Sequence, residues 1–194
     1  MYDMLYYCHN LHFLAASDSM AGNFAHAKQA ADELAVHVAP MLHDMPILEM
    51  YAPYPMFVLV RFHRWDELLK LTSPDPGLPM TTAFWHFARG SALAAKKEIA
   101  MAESERTILE TQREQTPPDR EFSTYSNRAQ TFLDLGLAIL DARIATARGK
   151  AEESLNHWER AVEIEDKLYY GEPPEWFYPV RVPRCCLAHE RPGG

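Results

Sequence analysis

The sequence predicts an all-α protein, an array of about four antiparallel helical hairpins. Three observations predict it. Apolar residues recur at spacings of three and four along most of the chain, which is the helical period. Four short segments have turn character: Gly22-Asn23-Phe24, His63-Arg64-Trp65, Lys97-Glu98-Ile99 and Gly149-Lys150-Ala151. Five residues past the first residue of each comes an apolar or small residue, Ala27, Leu68, Ala102 or Ser154. Finally, no stretch shows the sustained alternation of a strand. Repeated helical hairpins build a surface rather than a preformed reaction centre, so the pattern favours binding over catalysis.

The elements follow in order. Leu5, Leu11, Leu14, Ala15 and Met20 predict a first helix, ended by Gly22. A second runs from Phe24 to Val38, with Ala27, Ala30, Ala31, Leu34 and Val38 on one stripe, and stops before Pro40. Prolines 40, 46, 53 and 55 then interrupt the pattern. The run Phe57-Val58-Leu59-Val60 lies between Pro55 and the Arg64-Trp65 turn, and reads as a short helix. After a second interruption at Pro74, Pro76 and Pro79, the spacing predicts a pair over Pro79–Ala95 and Glu98–Gln115, with Thr81 and Thr82 as caps. The last pair is expected over Phe122–Arg148 and Ala151–Tyr169. Pro117-Pro118-Asp119 suits the opening of a helix, while Gly149 and Gly171 suit helix ends. Ala27, Ala31, Leu34, Leu93, Ala102, Leu155, Trp158 and Ala161 are the expected core.

The totals narrow the function. A chain of 194 residues with 47% hydrophobic content is enough for one packed domain or array. Net charge of −8 and a pI near 5.6 exclude the basic footprint that nucleic acid requires. Cys8, Cys185 and Cys186 make no disulfide framework, so a reducing, cytoplasmic setting is expected. The first residues carry His9, Asn10 and His12 where a signal peptide would be apolar, and no run reaches the ~18 apolar residues of a membrane span.

Few residues carry chemistry. His9 and His12 lie three apart and share a helical face. Either they are polar groove residues or they form half of a metal site, for zinc or copper, with His86 as the third ligand. Trp85, His86 and Arg89 also lie within helical reach, and the fork of Arg89 suits a carboxylate. Glu172-Pro173-Pro174-Glu175-Trp176 is held extended at its start, because a residue before proline is pushed from the helical region. That stiff segment, with Trp176, Phe177 and Tyr178, either lies across the groove or caps the last hairpin. Glu103, Glu105 and Glu110 read as solvated helix faces. GxSxG, a Gly-rich phosphate loop and HExxH are all absent.

Ala145 through Leu155, followed by Trp158 and Ala161, resembles the turn and second helix of a tetratricopeptide repeat. Gly22 through Leu34 is similar, as is Trp85 with Gly90, Leu93 and Ala102. The separation of His63 from Lys97, 34 residues, matches the ~34 of such a unit, whereas the flanking separations of 41 and 52 need longer helices or inserted loops. The blocks around His9–Phe13, Trp85–Gly90 and Glu172–Arg181 resemble a bacterial group of longer tetratricopeptide proteins. The resemblance implies a right-handed superhelix over residues 1–170, then a Pro/aromatic segment over 171–194 that caps it or is partly disordered. After Arg181 the chain departs from the pattern at Pro183, so a fragment of a longer array is expected. The implied function is a non-catalytic scaffold without a cofactor, binding a protein or peptide partner on a concave face lined by His9, His12, Trp85, His86, Arg89 and Trp176. Its own C-terminal segment is one such partner. The alternative is a metal-dependent enzyme, hydrolytic or oxidative. Apolar ends on a short array also predict a homodimer.

Overall fold

The computed structural model describes residues 2–122 and 126–181; Pro183, Cys185 and Cys186 lie outside them. The described residues form eight α-helices and no strand: α1 (Tyr2–Met20), α2 (Phe24–Val38), α3 (Tyr54–Arg61), α4 (Trp65–Leu68), α5 (Pro79–Ala95), α6 (Ile99–Gln115), α7 (Ala129–Ala147) and α8 (Ala151–Glu165). The run Phe57–Val60 is helical, as its place between Pro55 and the Arg64-Trp65 turn predicts.

All four predicted turns sit at helix ends and share one backbone conformation. Gly22, His63, Lys97 and Gly149 are left-handed, with φ of 78°, 55°, 62° and 74°. Each donates its amide to the carbonyl three residues back, and the following amide reaches five residues back. At the first turn these bonds are Gly22 to Ser19 and Asn23 to Asp18; at the last they are Gly149 to Thr146 and Lys150 to Ala145. This paired bonding satisfies carbonyls that a helix end leaves open. Ala27, Leu68, Ala102 and Ser154, one turn into each following helix, are completely buried.

Across these turns α1 packs on α2, α3 on α4, α5 on α6 and α7 on α8; α2 also meets α3, and α5 meets α7. Helix α7 is apolar around most of its girth, including Phe132, Leu133, Leu135, Ile139 and Leu140, and is buried accordingly. By contrast, α6 buries only Ala102 and Leu109. Gly90 allows α5 and α7 to approach closely. A Cβ there would lie 2.9 Å from a Leu140 methyl and 3.3 Å from the Glu105 Cβ.

In α1 the buried residues are Cys8, Leu11, His12, Ala15 and Ser19, whereas Leu5, Leu14 and Met20 are exposed at 38%, 53% and 59%. Tyr7 reaches α2, where it meets Glu33 and His37. Several sequence expectations need correction. Leu155 is only half-buried; its neighbour Ser154 points inward and donates to the Ala142 carbonyl at 2.9 Å. The helix expected from Phe122 starts at Ala129. Phe122 instead plugs the core between Phe84 and Phe132, and backbone bonds run from the Phe122 amide to Asn127 and from the Ala129 amide to Arg120. Helix α8 stops at Glu165, short of Gly171.

Thr81 and Thr82 lie inside the first turn of α5 and do not cap it. The acceptor comes from the proline-rich interruption. Buried Glu49 accepts the Thr81 amide at 2.9 Å and pairs with Arg120 at 2.7 Å. A carboxylate at a helix N-terminus satisfies an open amide and opposes the helix dipole. It also ties the connection after α2 to the one after α6.

Candidate functional site

The Pro/aromatic segment is the most distinctive part of the surface-forming architecture. Residues 171–181 contain no regular helix beyond the last residue, yet Trp176, Phe177, Tyr178 and Val180 are each 6% exposed or less. The stiffness supplied by Pro173, Pro174 and Pro179 suits an extended strap. Phe177 stacks on Phe57 of α3, and Trp176 packs against Phe57, Phe84 and Phe87 of α3 and α5. Helix α8 anchors the far end. The Val180 amide donates to both Glu165 oxygens at 3.1 Å, and Arg181 pairs with Asp166 at 2.6 Å. Burial, the largest influence, raises the pKa of Glu165; the Val180 amide opposes that rise. Beside the strap runs a cleft of about 410 Å³, walled by Ala16 and Met20 of α1, Tyr54, and strap residues Pro174 and Trp176.

The histidines predicted as a metal set have separate surroundings. His12 is buried, edge-on to Tyr54 and Tyr51 at ring separations of 4.3 and 5.5 Å, and its Nε2 has no hydrogen-bond partner. Burial, helped by the nearby charge of His9, lowers its pKa to about 3. His9 lies against Phe13 at 4.8 Å. His86 is engaged elsewhere, its Nδ1 being 2.5 Å from Glu105. Among the described residues, no group of three or more His, Cys, Asp or Glu side chains could hold a metal ion.

Trp85, His86 and Arg89 do come together on α5, where His86 and Arg89 meet Glu105 of α6. Glu105 takes His86 with one oxygen and Arg89 with the other, at 3.0 Å, and the Arg89 guanidinium lies 4.6 Å from the Trp85 ring centre. Burial pushes the Glu105 pKa up most strongly, but the contacts from His86 and Arg89 together bring it below the ordinary value. The carboxylate that Arg89 suits is thus supplied from within the chain. Glu105, expected on a solvated face, is instead the centre of this cluster, while Glu103 and Glu110 are partly exposed as expected. Arg106 and Arg113 extend the charged seam from α6 to Asp141 and Asp134 of α7, both at 2.7 Å.

Sequence reasoning passed over the strap's receiving surface. Phe57, Phe84 and Phe87 read as ordinary core residues, and helical periodicity alone does not distinguish a face that meets another helix from one that meets an extended segment. It also passed over Arg61 and Arg143, which flank the strap at Tyr178. No helix among the described residues is long and apolar enough to cross a membrane. Compared with protein-family models, with curated proteins and with solved structures, the chain finds no match.

Proposed function

We propose that this chain is a non-catalytic interaction scaffold, a tetratricopeptide-type array of helical hairpins that binds an extended, aromatic peptide segment. The observation that carries the reading is the lodging of Trp176 and Phe177 against Phe57, Phe84 and Phe87. A proline-stiffened segment loses little chain entropy on docking, and its aromatic side chains supply large apolar area. Residues 172–181 are then the resident occupant, and a partner bearing a similar segment would compete for the same wall. The four equivalent left-handed turns, each followed by a fully buried residue, support the repeat architecture. The existing partners of His86 and Arg89 favour a structural role for that trio.

A peptide with the sequence of residues 172–181 tests the reading. A full-length chain carrying both Trp176→Ala and Phe177→Ala should bind that peptide saturably at micromolar concentration, while the unsubstituted chain, with its wall occupied, should bind at least tenfold more weakly. A doubly substituted chain that keeps its helical circular dichroism and shows no peptide binding would remove the basis for the proposal.

A further inference from the structure

Arginine is abundant here and almost always paired. Eight arginines among the described residues have a carboxylate within ion-pair distance. Arg61, Arg143 and the exposed Arg160 have none, in a protein whose net charge is −8. Arg61 and Arg143 are half-buried, and they converge from α3 and α7 on the same place. The Arg61 guanidinium lies 5.7 Å from the Tyr178 ring centre. That of Arg143 lies over two indoles, 5.5 Å from the Trp65 ring centre and 6.0 Å from that of Trp158.

Three donors at this place lack an acceptor. Arg143 Nε, Trp158 Nε1 and the Tyr178 hydroxyl are buried with no hydrogen-bond partner among the described residues. Tyr178 lies close to both guanidiniums, and Arg143 is near enough to donate to its hydroxyl; a guanidinium cannot accept, so the hydroxyl proton is left without an acceptor. Arg61 and Arg143 also act together on His63, which burial and these two charges hold below its ordinary pKa. Glu165 is the nearby carboxylate, and its oxygens are turned to the Val180 amide. Buried donors without acceptors are costly, and two like charges near one another repel. One group relieves both: an anion with several acceptor oxygens.

We infer that Arg61, Arg143, Trp158 and Tyr178 form a binding site for a compact oxyanion, a carboxylate or a phosphate. The guanidinium of Arg143 lies over the rings of Trp65 and Trp158, and its N–H groups are suited to charge-assisted bonding with an oxyanion. Arg61 supplies the second charge, and the Tyr178 hydroxyl donates from the floor. The site does not require the strap to be displaced, since Tyr178 contributes from its docked position, and so stands apart from the scaffold reading.

The test uses the full chain at constant ionic strength in chloride, titrated separately with inorganic phosphate and with a blocked tri-glutamate peptide. The indole fluorescence of Trp65 and Trp158 reports occupancy. A saturable change with either probe is expected, weakened at least tenfold in Arg143→Gln and in Arg61→Gln and unaltered in Arg160→Gln, a substitution on the exposed face of α8. Response to phosphate alone or to the peptide alone supports the site and identifies which oxyanion it takes. No saturable response to either probe up to 10 mM, on the order of the weakest useful affinity, overturns it: ordinary water then satisfies the donors. Equal binding by the Arg143→Gln and Arg61→Gln variants overturns it too. Should Arg143→Gln lose its helical signal, Arg61→Gln, at a helix end, decides.

Discussion

The ring of Phe177 lies flat on that of Phe57, with centres 4.4 Å apart and planes 11° from parallel. This contact joins a proline-stiffened strap to a helix that the chain completed long before. Phe177 is 6% exposed, so its removal takes away a core side chain rather than a surface ornament. Phe177→Ala should cost about 3–5 kcal/mol of unfolding free energy, the usual range for a large aromatic truncated in a core. Urea denaturation followed by circular dichroism measures it. A loss under about 1 kcal/mol would mean the strap is only loosely held in solution.

Gly90 tests the contact between α5 and α7. An added methyl would press on Leu140, which is itself fully buried, and on the Glu105 Cβ. The Leu140 methyls must shift within the core and the Glu105 Cβ must give by a few tenths of an ångström, so Gly90→Ala should destabilise by about 1 kcal/mol through overpacking, despite alanine's better helix propensity. A melting temperature at or above that of the unsubstituted protein would show that α5 and α7 separate easily.

Lys97 holds a left-handed conformation at φ 62° on an exposed turn. Glycine occupies that region without the Cβ penalty, although it also gains freedom in the unfolded chain. Lys97→Gly should therefore stabilise by several tenths to about 1 kcal/mol, and Gly149→Ala, at φ 74°, should destabilise by a similar amount. Opposite signs in the two denaturation midpoints are the expected result; a shared sign would contradict the left-handed geometry at one of them.

His12 gives the fold a pH dependence. Its ring is held neutral, with a pKa of about 3, whereas the unfolded chain takes up that proton near the ordinary value of 6.5. Between those values the unfolded state binds more protons, so stability falls as pH falls through the window and is complete above it. At pH 5 the loss from this one group is about 2 kcal/mol relative to pH 7. Stabilities measured at pH 7 and pH 5 should differ less in His12→Phe than in the unsubstituted chain; His63, also shifted down, remains in both. Identical differences would place His12 in contact with water.

Much of the fold is legible because its determinants are local. The stripe Ala27, Ala30, Ala31, Leu34 and Val38 emerges from periodicity alone, and the bounds predicted for α2 and α5 match the structure. Periodicity is not enough where one pattern permits two faces. In α1, leucines and small residues both recur at helical spacing, and only the presence of α2 selects Cys8, Leu11 and Ala15. Phe122 likewise suits a helix by composition, but its burial between Phe84 and Phe132 takes it into a loop. The aromatic strap was visible as a stiff segment, without its receiving wall.

Left-handed turns, helix periods and proline stops act over five or six residues, and the sequence by itself determined them for this protein. Groups distant in sequence meet only after folding, and there the tertiary structure decided. Glu49 became the acceptor for α5, Glu105 turned from an expected solvated face to His86 and Arg89, and Arg61 and Arg143 were left without a carboxylate. The physical reason is that helical spacing sets which side chains share a face but not what stands opposite. Burial and the charge of the facing element then decide whether a carboxylate is solvated or paired, and whether a guanidinium finds its counterion within the chain.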